Sequence, residues 1–187
     1  MSNDSPASGA TARLAPPRDG LPRPGSYRAA GGGPILEIAA RLGPLTTLRG
    51  RFAALEDSLV VEDAGDRAAL LLEASAPSLR TTRPLAGRRL LGRRGLDARN
   101  HGLVRLQTDQ IRLLDHAQWQ FPAQLTLRGT QVDITMTARV AARTADRIAL
   151  IANGEISSSA LRRRCSARLP RSVPATRIRF TLAADFR

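Results

Sequence analysis

Apolar and polar residues alternate along the segment from Gln124 to Val140, "QLTLRGTQVDITMTARV", on both sides of Arg128-Gly129. Strict alternation is the period of a strand that buries one face and exposes the other. The segment therefore predicts a β-hairpin. Its apolar face would be formed by Leu125, Leu127, Val132, Ile134, Met136, Ala138 and Val140.

The same criterion predicts further strands, two within residues 45–63 and one each in residues 66–75, 103–114, 146–156 and 176–186. The first two are predicted to join at a turn near Glu56-Asp57-Ser58. Asp109-Gln110 predicts a bulge or turn. Residues 84–95 form the best helical candidate, with Pro84 in the first turn. About eight strands and one short helix indicate an all-β, mainly antiparallel protein. A sheet of that length closes or folds over to remove its edges.

Two regions differ in composition. Residues 1–34 hold six of the twelve prolines and six of the fifteen glycines, with few large apolar side chains. Ordering such a segment costs more entropy than burial returns, so it is predicted to be a disordered tail. Residues 35–187 are predicted to form one domain.

The net charge of +13 comes entirely from arginine, since the chain contains no lysine. This usage is typical of a codon-composition bias and weakens any inference from charge to an anionic partner. The single cysteine excludes an internal disulfide. The first residues lack the pattern of a secretory signal, and no apolar run reaches the roughly 20 residues of a membrane span. We therefore expect a soluble cytoplasmic protein.

Two short motifs, "LTTLRGRF" (Leu45 to Phe52) and "AQLTLRGTQVDITMTARV", match a known pattern. They resemble a strand and the central hairpin of the YceI-like family. Between them the chain follows the family's order of a strand, Ser78 at the strand end, a helix and the step "LLGRRGLDARN". The resemblance covers residues 35–184. The chain departs from the family pattern in three ways. It shows no secretory signal, although many family members are exported; its approach to the helix is rich in arginine; and Gly102 stands where proline is usual.

The resemblance implies a lipocalin-like antiparallel barrel with the helix near its mouth. It also implies a non-enzymatic protein that binds a long-chain lipid such as a polyisoprenoid in the interior. Alternation alone favours a filled core, whereas the resemblance favours a cavity. The residues predicted to line that cavity are Leu48, Phe52, Leu125, Leu127, Val132, Ile134, Met136, Ile148 and Phe180.

A charged lipid head group would need hydrogen-bond donors at the mouth. Arginines crowd the predicted helix and its approach, and guanidinium groups pair well with phosphate or carboxylate. The predicted head-group residues are Arg80, Arg83, Arg88 and Arg89. The alternative interpretation is a solvated basic face.

Two other functions stay open. Cys165 and Arg171-Ser172 fit the spacing of cysteine phosphatases, but Pro170 removes a backbone donor that a phosphate cradle needs. The arginines of residues 80–99 and 162–179 could bind nucleic acid or another anionic surface, although few aromatic residues accompany them. No specific nucleic acid, cofactor, metal or catalytic residue is predicted, and the pattern leaves a homodimer open.

Overall fold

The computed structural model describes residues 22–31, 33–63, 67–112 and 118–187, and within them the secondary structure is mostly antiparallel β. The strands are β1 (Gly25–Tyr27), β2 (Ile35–Leu42), β3 (Leu45–Phe52), β4 (Ala54–Val61), β5 (Arg67–Ser75), β6 (Arg80–Thr81), β7 (Leu103–Arg112), β8 (Gln118–Leu127), β9 (Thr130–Thr144), β10 (Arg147–Ser157) and β11 (Arg177–Phe186). The helices are α1 (Pro84–Leu91) and α2 (Ser158–Cys165), with a 3₁₀ turn at Ala76–Ser78.

The strands form one curled sheet in the order β1-β4-β5-β7-β8-β9-β10-β11-β2-β3-β6. β3 pairs with β2 whereas β4 pairs with β5, so these two strands are halves of one chain segment that bends at Ala53. If β3 and β4 are counted as one strand, the sheet contains eight long strands among the described residues. The predicted lipocalin-like, mainly antiparallel architecture is confirmed.

The predicted turn at Glu56-Asp57-Ser58 is wrong, because these residues pair with β5. The bend occurs at Ala53, whose backbone bonds are made outside the strand ladder. Its N–H donates to Ser78 Oγ at 2.8 Å, and its carbonyl accepts from Ser75 N at 3.0 Å. Polar side chains in "LEDS" suggested a turn, but their backbone groups are satisfied by pairing.

The hairpin at the centre of the sequence forms as predicted. Arg128 (φ +52°) and Gly129 (φ +71°) make the two-residue turn between β8 and β9. Positive φ at both positions matches the right-handed twist of the strands. The bulge predicted at Asp109-Gln110 is also confirmed, since Thr108 pairs with Leu70 and Ile111 with Ala68, leaving one extra residue on β7.

The sheet begins ahead of the boundary predicted at residue 35. β1 pairs with β4, and the residues that follow it pair with the end of β11. Arg28 and Arg187 exchange backbone hydrogen bonds of 3.0 and 2.9 Å, and Ala30 N donates to Asp185 O at 2.8 Å. This segment joins β4 to β11 and thereby closes one end of the barrel. The rest of the predicted tail, residues 1–21 and 32, lies outside the described residues.

Two α-helices are present in the described residues, where one was predicted. α1 begins at Pro84 as predicted, and it buries Ala86 and Leu90 in the core. α2 was missed. Its start is capped by Ser157, whose hydroxyl accepts from Ala160 N at 3.1 Å, and this is a recognised sequence signal for a helix start. Neither described helix is long and apolar enough to cross a membrane.

Tyr27 tests whether the segment before residue 35 is integral to the fold. Its side chain is 7% exposed, and its hydroxyl lies 2.7 Å from Arg23 O and 3.1 Å from Ala145 O. We expect Tyr27→Ala to lower the free energy of unfolding by about 3 kcal/mol and Tyr27→Phe by about 1 kcal/mol. Urea denaturation measures both. Ser26→Ala, at an exposed neighbour, is the control. Equal stability of Tyr27→Ala and the control would contradict the closing role.

Candidate ligand cavity and arginine-rich cap

All nine residues predicted to line the interior are buried, and they belong to one continuous hydrophobic cluster. They come from β3, β8, β9, β10 and β11, so the barrel brings together side chains that are up to 132 positions apart in sequence (48 to 180). Alternation assigned each of these strands the correct buried face. Their role in holding a ligand stays a prediction. Five surface clefts formed by the described residues have other linings.

Gly154 lies on the inner wall at a position where neighbouring side chains pack directly against the backbone. It lies on β10 between Met136 of β9 and Phe180 of β11. A Cβ atom added here would overlap Met136 Sδ and lie 3.2 Å from Ile134 Cδ1. The flexible methionine side chain therefore occupies the space above the glycine. Methionine is unbranched and flexible, so its side chain suits an irregular gap of this kind.

The aromatic residues of the chain are all inside. There are six, each 7% exposed or less, and none is on the surface: Tyr27, Phe52, Trp119, Phe121, Phe180 and Phe186. The remaining inward side chains are mainly aliphatic. The inner wall is thus chemically uniform and apolar.

A cap of loops and helices covers the end of the barrel where the β8–β9 hairpin turns. Arg128 Nη1 donates to Gly95 O at 3.0 Å and to Ser166 O at 2.9 Å. It thereby joins the loop after α1 to the loop after α2. The sequence analysis missed this role of Arg128. The only signal was a long polar side chain at the first position of a tight turn.

The four predicted head-group arginines are exposed and do not converge on one cleft. Arg80 and Arg88 line a cleft of about 390 Å³ between β6 and α1. Arg83 and Arg89 line another of about 270 Å³ beside Leu85. Arg83 Nη1 donates to Ser172 O at 2.8 Å. Binding of a head group by these residues stays a prediction.

The arrangement around Cys165 does not match the phosphatase alternative. Cys165 ends α2 and is buried, and burial raises the pKa of its thiol, although Arg128 and Arg164 act in the opposite direction. A catalytic cysteine needs a lowered pKa and a cradle of backbone N–H groups, typically at a helix N-terminus. Here the thiol lies at the opposite end of a helix.

Ionisable residues elsewhere form hydrogen-bonded ion pairs on the strands of the barrel. Glu155 accepts hydrogen bonds from Arg179 and Arg177, and these hold the pKa of its carboxyl below the ordinary value. Asp185 is likewise bound by Arg147 and Arg187, and its pKa is lowered. Within the described residues, no three His, Cys, Asp or Glu side chains are placed to hold a metal ion.

Comparison with known proteins shows which solved structures share this architecture. No family model and no curated protein matches the sequence. Among solved structures, Burkholderia cenocepacia BcnA is similar with a TM-score of 0.67 and 13% identity, over 81% of this chain and 95% of that one. A Campylobacter jejuni YceI protein is similar with a TM-score of 0.55 and 15% identity, over 73% and 82%. The chain has the YceI fold.

A third structure with the YceI fold is a polyisoprenoid binding domain from Saccharophagus degradans implicated in plant cell wall breakdown. Its TM-score is 0.54 with 15% identity, over 86% of this chain and 97% of that domain. The similarity extends over nearly the whole length of that domain. The resemblance detected in the short strand motifs is therefore confirmed at the level of the fold.

The buried position of Cys165 predicts an unreactive thiol. Native protein at pH 7 should react with iodoacetamide far more slowly than protein unfolded in urea, because burial disfavours the thiolate. Mass spectrometry of the alkylated chain measures both rates. Cys165→Ser provides the blank. A fast native reaction, or phosphate-ester hydrolysis abolished by Cys165→Ser, would restore the enzyme interpretation.

Proposed function

We propose that this protein binds or carries a long-chain apolar or amphiphilic molecule, such as an isoprenoid or another lipid, inside its barrel and without catalysis. The observation that carries the proposal is the inner wall. It is apolar along β8 to β11, and it places the thioether of Met136 above Gly154. The nine residues named above are the proposed lining.

Burial of a hydrocarbon chain would supply the affinity. Each methylene removed from water contributes about 0.8 kcal/mol, so ten of them contribute about 8 kcal/mol before the entropic cost of binding. No specific polar contact is then required. In the free protein, Met136 and its neighbours would occupy the volume that the chain takes on binding. Rotation of Met136 away from Gly154 is the smallest rearrangement that makes room.

The YceI fold supports the same proposal, since one of the similar structures is a polyisoprenoid binding domain. The absence of an activated thiol at Cys165 supports a role without catalysis of the phosphatase type. The arginines around α1 would contact a charged head group. We propose Arg88 and Arg89 as the principal contacts, because they extend from α1, which caps the core with Ala86 and Leu90.

Nucleic-acid binding is less well supported. Proteins that bind single strands without sequence preference stack bases on exposed aromatic rings. Here every aromatic side chain is buried. Electrostatic attraction by the arginines remains, and it would be weak and strongly dependent on salt.

Native mass spectrometry of protein purified from cells tests the occupancy of the barrel. We expect a retained hydrophobic molecule that organic solvent releases. Gly154→Val should abolish retention, because the added side chain displaces Met136 Sδ into the interior and the two side chains then occupy the volume proposed for the ligand. Gly102→Val is the matched control, since a Cβ at Gly102 meets nothing within 4 Å. Both variants should keep a cooperative thermal transition. An empty wild-type protein, even after incubation with prenyl lipids, would refute the proposal.

The head-group contact is tested with a prenyl diphosphate and the corresponding prenyl alcohol. Arg88→Ala combined with Arg89→Ala should weaken diphosphate binding about tenfold at low salt and leave alcohol binding unchanged. Fluorescence of Trp119, the only tryptophan, provides the titration signal. Arg112→Ala with Arg139→Ala, on the exposed barrel wall, is the charge-matched control. An equal loss in both variants would assign the effect to net charge.

A further inference from the structure

We propose that the capped end of the barrel docks on the surface of an anionic lipid bilayer. The surface concerned, called the cap face below, comprises residues 80–100 including α1, residues 158–176 including α2, and the tip of the β2–β3 hairpin. The proposal goes beyond ligand binding in the interior, and it rests on the charge and the exposed leucines of this face.

The cap face is almost purely cationic. Residues 80–100 and 158–176 together contain twelve arginines and one acidic residue, Asp97. Asp97 is 8% exposed, and its carboxylate accepts hydrogen bonds from Asn100 Nδ2 at 3.0 and 3.2 Å. The arginines are all exposed: Arg80, Arg83, Arg88, Arg89, Arg93, Arg94, Arg99, Arg162, Arg163, Arg164, Arg168 and Arg171.

These arginines have no anionic partner among the described residues. The five ion pairs that the structure shows involve Arg105, Arg147, Arg177, Arg179 and Arg187, all on strands or at a strand end. The barrel wall therefore neutralises part of its own charge, whereas the cap face does not. Arginines without an ion pair also lie on the wall, for example Arg67, Arg112 and Arg139, but the strands carry acidic residues as well. A codon bias explains the use of arginine in place of lysine, but it does not explain why twelve arginines at one end of the barrel are accompanied by a single acidic residue.

The fold brings the two arginine-rich segments into contact. Arg168 N donates to Arg94 O at 2.8 Å, which places the loop after α2 against the loop after α1. Between them lies a cleft of about 560 Å³ whose charged lining is Arg89, Arg93, Arg94, Arg168 and Arg171. The opening of this cleft is suited to several phosphate groups at once, as an anionic bilayer presents them.

Large apolar side chains project from the same face. Leu85 on α1 is 73% exposed, and Leu45 and Leu42 at the tip of the β2–β3 hairpin are 65% and 40% exposed. Two contacts attach the hairpin to the arginine-bearing loop. Thr47 Oγ1 donates to Pro174 O at 2.9 Å, and Thr176 N donates to Arg41 O at 2.8 Å. Arg83, next to α1, contacts that loop at Ser172.

Exposed leucines among unpaired arginines fit a bilayer better than a nucleic acid. A bilayer offers phosphates to the arginines and acyl chains to the leucines, and each basic residue near an anionic surface adds about 1 kcal/mol of attraction. A nucleic acid would leave the leucines in water, and the buried aromatic residues give it no stacking surface.

The test is co-sedimentation of the full chain with vesicles of phosphatidylcholine alone or with 30% phosphatidylglycerol (roughly the anionic content that binds polybasic segments). We expect binding to the anionic vesicles only, and weakening as salt rises. Arg93→Gln, Arg94→Gln and Arg168→Gln together should lower the partition coefficient about a hundredfold. Leu45→Ser with Leu85→Ser should lower it further and in a salt-independent way.

Matched control variants test whether the loss of vesicle binding is specific to the cap face. Arg67→Gln, Arg112→Gln and Arg139→Gln remove the same charge from exposed positions of the wall, and Ile151→Thr removes an exposed apolar side chain there. These variants should bind as the wild type does. Equal losses in the wall variants, equal binding to both vesicle types, or tighter binding to single-stranded DNA than to anionic vesicles at physiological salt would each overturn the proposal. Retained lipid is measured separately by native mass spectrometry, so either proposal can fail without the other.

Discussion

The need to pair every strand edge governs this structure. A curled sheet leaves two edges, and unpaired backbone groups at an edge are costly when buried and prone to aggregate when exposed. The β3–β4 segment meets that need by bending at Ala53 and pairing with different neighbours on either side of the bend. The segment from Gly25 to Ala30 connects the two ends of the sheet, because it pairs first with β4 and then with the end of β11. Without these two connections the apolar faces of the remaining strands would open to water.

Closure turns an ordinary alternating pattern into an enclosed apolar interior. Every second residue of β8 to β11 faces inward, so no polar side chain interrupts the wall there. Gly154 and Met136 meet on this wall because their strands pair in a fixed register. A one-residue shift would move either residue to the outside. The proposed ligand site thus depends on register as much as on composition.

The barrel wall and the cap differ in how their arginines are partnered. Some arginines on the wall pair with Glu73, Glu155 and Asp185, which lowers the charge of the sheet surface. Those at the cap have no such partners among the described residues and stand beside exposed leucines. Arg128 holds the two cap loops together from the hairpin beneath them. The apolar interior and the cationic cap are the two features on which the proposals of ligand binding and of bilayer docking rest.

The sequence alone determined the fold class, the central hairpin and the buried face of each main strand, because alternation and the Arg128-Gly129 turn are local signals. It also located α1, through Pro84. It placed the turn of "LEDS" wrongly and overlooked both the closing role of Tyr27 and the helix that Ser157 caps. Only the tertiary structure decided which arginines are paired, which gather at the cap, and which residues close the barrel. Those outcomes depend on contacts between segments far apart in the chain, and no local pattern of residues specifies such contacts.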